Sequence, residues 1–247
     1  MVDEFRSYLL PAADHPFEAL LASVRFDDVA KGRRGTVVVK VDDTGGIPIV
    51  RTTTPYLRAA QPFGPLHERL SQEIRRIASL SCVANNALVE HYTSAYSTMK
   101  RHSDQALDLA DGSSIAIYSC YRDPHAPSRR LVVTAKESEG AASEIPLGHG
   151  SVVVFDLDTN RRFTHTIALS ANAPANEWFG ITFRTSKTLV RFVDGHAQLD
   201  NGARLTIATD EQRRELFQLR RRENDETDFA YPPISYTISD SDLVPPS

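Results

Sequence analysis

The sequence predicts a mainly β protein with flanking helices (α+β), built on a double-stranded β-helix (jelly-roll) core. Three observations predict it. Between Leu88 and Arg191 many short β-prone runs recur, broken by turn residues and without intervening helices, as in sandwiches and jelly rolls rather than parallel α/β sheets. Helical spacing of apolar residues is confined to segments before and after that stretch. A His-x-Asp tripeptide and a later histidine fall inside it, where a jelly roll can return a later strand beside an earlier one.

The elements follow in order. A short helix is expected from Pro16 to Val24, where Phe17, Leu20, Leu21 and Val24 recur at helical spacing. Gly35–Val41 is β-branched and reads as a strand. The run Gly45–Tyr56 carries glycines and prolines around short β-like pieces, and a helix is expected from Pro65 to Leu80, with Leu66, Leu70, Ile74 and Ile77 on one face. The clearest strands are Leu88–Tyr92, Ser114–Tyr118, Arg130–Thr134, Ser151–Phe155, Phe163–Ile167 and Trp178–Arg184. Thr188–Val193 and Arg204–Ala208 are expected to pair as a hairpin around DGHAQLDNG. A helix follows from Asp210 to about Asn224 with Thr209 or Asp210 as N-cap. Its basic run Arg213–Arg222, interleaved with glutamates, reads as a solvated face, and the Pro- and Ser-rich last residues are expected to run over the surface. The organisation expected is residues 1–84 as N-terminal helices, strand and lid segment, 85–193 as the double-stranded β-helix core, and 194–247 as a hairpin, helix and tail packed on it.

Bulk properties narrow the function. The 247 residues suffice for a substantial core without staples, and only Cys82 and Cys120 occur, so no disulfide framework or CxxC zinc site is expected and a cytoplasmic location is. The first residues lack a basic n-region, which makes a poor signal peptide, and no apolar run is long enough to span a bilayer. The net charge of −4 gives no support to a protein gripping a long duplex through its phosphates.

Chemistry concentrates at His102-Ser103-Asp104. Two residues apart on an extended backbone, the imidazole and the carboxylate point to one face and can reach one cation. His165 lies 61 positions beyond Asp104 in another strand. Two histidines and a carboxylate leave open metal positions, which suits non-haem iron(II).

The strand context resembles the AlkB family of iron/2-oxoglutarate oxygenases. Tyr92 stands ten residues ahead of His102, DGSSIAIYS follows the tripeptide, LGHGSVVVFD precedes RRFTHTI with His165, and GITFRTSK closes the run with Arg184. The resemblance spans roughly Asn85 to Ser186. It implies Fe(II) on His102, Asp104 and His165, 2-oxoglutarate held by Tyr92, Arg184 and Ser186, and O2 as oxidant. Arg184 suits a carboxylate because a guanidinium is permanently charged and binds in a bidentate way. Retention of Asp104 argues for oxygenation rather than halogenation. Three positions depart from the pattern: Glu90 replaces an asparagine, Trp178 a second arginine, and Gly180 a polar residue. Part of the usual clamp is therefore missing or rebuilt, with Lys187 or Arg191 as replacements.

The resemblance implies hydroxylation or oxidative demethylation of a nucleobase-type substrate, in nucleic acid (single-stranded rather than duplex) or in a free nucleotide. Arg51 and Tyr56, in the segment before the barrel, are candidates to hold a phosphate and stack on a base, and Trp178 is either a core anchor or a pocket wall. Hydroxylation of an unrelated small metabolite, and a binding module without turnover, stand as alternatives. No membrane and no obligatory protein partner are expected. His67, His91, His125, His149 and His196 are assigned no ligand role.

Overall fold

The computed structural model describes residues 4–11, 17–137 and 142–247. The chain runs through β1 (Arg6–Leu9), α1 (Phe17–Ala22), β2 (Asp27–Ala30), β3 (Arg33–Val39), β4 (Ile47–Pro48), β5 (Gln61–Pro62) and α2 (Pro65–Ile77). Next come β6 (Asn86–Tyr92), β7 (Ser114–Tyr121), β8 (Arg129–Ala135), β9 (Ser143–Leu147), β10 (Ser151–Asp156), α3 (Leu157–Arg162), β11 (Phe163–Leu169) and β12 (Trp178–Arg184). It ends with β13 (Leu189–Val193), β14 (His196–Leu199), β15 (Thr206–Ile207), α4 (Asp210–Asp225), β16 (Tyr236–Thr237) and a short 3-10 turn, Asp240–Leu243. The protein is mainly β with few helices, and its principal sheets are antiparallel. The expected start of the first helix, Pro16, lies outside the described residues.

The large sheet has the order β1-β10-β7-β12-β6-β3-β2, with β5 added alongside β3. Its central strands read as continuous apolar runs because both faces are covered. On one face Ala87, Val89, Tyr118, Val154 and Phe179 pack against Phe17 and Leu20 of α1 and Leu70 and Ile74 of α2. On the other, Tyr92, Ile117, Tyr121, Phe155 and Trp178 pack against Leu131, Val133 and Ile167 of a smaller sheet, β11-β8-β9. Helix α2 places Leu70 and Ile74 one turn apart, which buries a single stripe.

Trp178 and Gly180 form one packing unit within β12. The indole lies over the glycine, so that a Cβ there would meet Trp178 Cη2 at 1.9 Å. Trp178 is 1% exposed, with its ring 4.8 Å from that of Tyr92.

Four expectations are corrected. The hairpin after β12 closes with β14, not with Arg204–Ala208; Asp194 and Gly195 take φ of 50° and 76°, the left-handed pair a two-residue turn needs. β15 pairs with β16 instead. The C-terminal residues are not a surface tail, because Ile234, Tyr236 and Ile238 are buried against Leu216 and Leu219 of α4. The expected division at residue 85 does not follow the sheet: β1, β2 and β3 belong to it, and β3 pairs with β6 along its length. Within α4, Arg220 is buried rather than solvated. Among the described residues no helix is long and apolar enough to cross a membrane.

Candidate metal centre

His102 and His165 meet through their backbones. His102 N donates to His165 O at 2.9 Å and His165 N to His102 O at 2.6 Å, an isolated antiparallel bridge between the tripeptide loop and β11. Directly opposed residues on such a bridge project to one side, and the two imidazole centroids lie 4.7 Å apart. Asp104 completes the group, with Oδ1 3.8 Å from His102 Nε2 and 3.5 Å from His165 Nε2. One ligand atom from each residue lies within 4.8 Å of the others. Ligands about 2.1 Å from a common ion at right angles are about 3 Å apart, so small side-chain movements close the set on a cation.

Protonation favours a cation as well. Burial, with His165 and Arg220 close by, pushes the His102 imidazole down to about 3, so it is neutral at ordinary pH. Its Nδ1 lies 2.9 Å from Lys100 O, and a proton there leaves Nε2 as the free lone pair. Burial works against the Asp104 carboxylate, but Arg184 and the two histidines outweigh it and hold the group well below the usual range. Arg184 Nε is 3.0 Å from Asp104 Oδ2, an ion pair whose angle does not make a hydrogen bond. His165 Nδ1 is buried without a partner. The neutral His102 imidazole, the His165 imidazole beside it and one ionised carboxylate fit a divalent transition metal.

The loop carrying His102 and Asp104 has no ladder of its own and is fastened by two helices. Asn160 of α3 accepts from Asp104 N and donates to Asp104 O, both at 2.8 Å. From α4, Asn224 Oδ1 accepts from Ser103 N at 3.0 Å, Glu223 Oε1 accepts from Ala106 N at 2.8 Å, and Arg220 donates to Ser103 O. Glu223 also accepts from Arg220 and from Tyr231, each at 2.6 Å. Sequence reasoning missed this clamp, although Leu216, Leu219, Arg220 and Glu223 share one helical face. A capping box between Thr209 and Gln212 starts the helix.

The three ligands line a cavity of about 100 Å³ together with Arg33, Thr52–Thr54, Tyr56, Glu90, Met99, Thr182 and Arg184. A larger cleft of about 540 Å³ lies behind the loop, against Lys136, Phe229 and Tyr231, and none of the three ligands reaches it. The small cavity is the one that the candidate metal-binding residues line.

The remaining candidates divide. Tyr56 lines the cavity, 3% exposed, with its hydroxyl unpartnered. Arg51 does not reach it: the guanidinium is ion-paired to Asp108 at 2.6 Å and donates to the carbonyls of Ile234 and Tyr236. Ser186 is turned away, its hydroxyl donating to Ile49 O at 2.6 Å. Lys187 and Arg191 are drawn to Asp111 and Asp200 respectively, on the outside. Tyr92 and Trp178 are buried beyond the cavity rather than in its wall. Glu90 lines the cavity and is ion-paired to Arg33 at 2.6 Å. Of the other histidines, His67 Nδ1 accepts from Gly64 N at the head of α2, His91 pairs with Glu177, and His149 Nδ1 accepts from Tyr121 N.

No protein-family model matches the chain, and no curated protein matches it. Among solved structures it is similar to one described as "The structure of OsALKBH1", at 13% identity and a TM-score of 0.42, over 65% of this chain and 82% of the other. At that level of likeness the reading of the centre rests on its own residues.

Proposed function

We propose that the protein is an iron(II)- and 2-oxoglutarate-dependent oxygenase that hydroxylates or oxidatively demethylates a small organic substrate. The observation carrying this reading is the meeting of His102, Asp104 and His165 at one wall of a cavity, with His102 neutral and Asp104 ionised as a divalent ion requires. A two-histidine, one-carboxylate set leaves open positions for a chelating 2-oxo acid and dioxygen, unlike a closed structural site. The iron would supply activation of dioxygen coupled to oxidative decarboxylation of the 2-oxo acid.

The chain's own residues do the rest. Arg184 holds Asp104 ionised and fixes its second oxygen, so that one carboxylate atom is left for the metal. Leu88, Ile117 and Ile167 close the cavity against water on its apolar side. Thr52–Thr54 and Tyr56 form the side where substrate would enter, with Gln105 holding the segment by accepting from Thr53 N at 2.7 Å.

For the substrate, a nucleobase-type compound is the class to screen first, with the Tyr56 ring as its contact. The binding of Arg51 to Asp108 takes away the residue expected to grip a phosphate, which favours a free nucleobase or unrelated metabolite over a base within a strand. The test is an anaerobic titration with Fe(II) and 2-oxoglutarate, followed by the weak visible band of the chelate. The band is expected in the parent protein and absent in His165→Ala. A parent protein that binds Fe(II) no more tightly than His165→Ala would sink the reading.

A further inference from the structure

Buried guanidinium groups need anions, because an unpaired charge out of water is costly. Among the described residues, four arginines at or near the interior have one: Arg33 pairs with Glu90, Arg51 with Asp108, Arg184 with Asp104 and Arg220 with Glu223. Arg129, only 2% exposed, is in no such ion pair. Its Nη2 donates to Thr93 O at 2.8 Å and to Tyr96 O at 2.7 Å, which fixes the plane of the group. Its Nε and Nη1 have no acceptor.

The surroundings hold further unpartnered donors, and among the described residues the carboxylate next to them is already engaged. Arg129 faces inward from β8 with Leu131 and Val133, and its Cζ lies 4.9 Å from the centre of the Tyr92 ring. Across the interior, Trp178 pairs in register with Tyr92 and with Tyr121. Trp178 Nε1 is buried without a partner, and so is the hydroxyl of Ser119, which flanks Gly180 one step nearer the metal centre. The Tyr92 hydroxyl lies near the Glu90 carboxylate without a well-formed hydrogen bond to it. That carboxylate is already taken by Arg33.

The strand register puts these donors below the cavity. Thr182, Leu88 and Ile117 line it, as does Glu90 one two-residue step along β6; Tyr92, Trp178 and Arg129 lie at the next step, about 6.7 Å further. We infer that Arg129, with Trp178 Nε1 and the Ser119 hydroxyl, forms an enclosed carboxylate subsite that anchors the far end of a dicarboxylic 2-oxo acid whose near end chelates the metal. This rests on the oxygenase reading for its ligand, but the site is defined by its own unpartnered donors. It assigns the missing clamp to the opposite sheet rather than to Lys187 or Arg191, which lie outside the cavity.

The test compares 2-oxoglutarate with 2-oxobutanoate, which chelates alike but lacks the far carboxylate, by anaerobic calorimetry on the Fe(II)-loaded protein. The parent is expected to prefer 2-oxoglutarate by about 10–100-fold, the range for one or two charge-assisted hydrogen bonds. Arg129→Gln should erase the preference by weakening 2-oxoglutarate alone. Trp178→Phe, which keeps an aromatic side chain but removes the N–H together with part of the indole, should weaken it several-fold, and it decides the matter if Arg129→Gln does not fold. A parent protein without preference, or variants that retain the full preference, would overturn the inference. A second arm is independent of iron: succinate should raise the melting temperature of the metal-free parent but not of Arg129→Gln. If Fe(II) fails to bind at His165, the oxygenase reading falls, and this arm alone decides the carboxylate subsite: a shift lost in Arg129→Gln upholds it, and no shift in the parent removes it.

Discussion

Replacing Asn160 with alanine isolates the support of the metal loop from the ligands themselves. The Asn160 amide is 2% exposed and makes a reciprocal pair of 2.8 Å hydrogen bonds with the backbone of Asp104. Truncation leaves a buried N–H and C=O without partners, at about 1–3 kcal/mol each, so metal-free stability should drop by about 2–6 kcal/mol. Loss of an outer partner of a ligand also weakens metal binding by about 10–100-fold. With metal at 100 times the parent's Kd, binding stabilises the parent by about 2.7 kcal/mol, and the same concentration should stabilise Asn160→Ala by only about 0.4–1.4 kcal/mol. Urea unfolding with and without Zn(II), as a redox-inert substitute for iron, reads both quantities. Asn160→Asp restores the acceptor but not the donor and should fall between. Equal metal-induced stabilisation in parent and Asn160→Ala would refute the argument that Asn160 positions Asp104.

Three further perturbations have defined outcomes. Gly180→Ala places a Cβ 1.9 Å from Trp178 Cη2 and should cost at least about 1–3 kcal/mol, largely recovered in the double variant with Trp178→Leu; additive losses in a double-mutant cycle would contradict the packing unit. Asp108→Ala strands the buried Arg51 guanidinium and should destabilise by about 3–5 kcal/mol in thermal or urea unfolding, whereas a loss under 1 kcal/mol would mean the pair is solvated. Burial, with Asp108 adding to it, raises the Asp242 carboxyl to about 7 in the folded state. The unfolded chain therefore gives up that proton first as pH rises from about 4 to 7, and the folded state loses stability across that window. Asp242→Asn should be level with the parent near pH 4 and gain about 1–2 kcal/mol over it by pH 8, and a gap independent of pH would exclude the titration.

What the sequence shows about this molecule depends on range. Helices α2 and α4 are legible because a 3.6-residue stripe is written locally, and the central strands because β-branched runs are. The tripeptide is legible because His102 and Asp104 are two residues apart, and His165 could be proposed from its strand. The misplaced hairpin shows the competition between two turns, Asp194-Gly195 and Asn201-Gly202, of which the nearer one closes β13 on β14. Arg129 escaped notice because Arg-Arg at the start of a strand carries no sign of which side chain faces inward; the register with β11 decides that. Arg51 was misread for the opposite reason. Its isolation in a polar loop suggests exposure, and only the fold brings Asp108 to it, 57 residues later. β9 alternates exposed Glu144 and Pro146 with half-buried Ser143 and Ile145 and has too little apolar contrast to stand out.

The clamp on the metal loop also orders events during synthesis. The loop's supports come from 56 residues downstream, for Asn160, and from 117 to 121 residues downstream, for Arg220, Glu223 and Asn224. At translation rates of about 5–20 residues per second, the gap between making Asp104 and making α4 is several seconds or more. During that interval the large sheet can pair as far as β12, while the loop bearing two of the three ligands remains unfastened. A chain truncated before residue 210 would keep all three ligands and lack the helix that sets two of them. Setting of the candidate metal centre thus waits on α4, so the loop bearing His102 and Asp104 takes its final geometry only after Asn224 has been made.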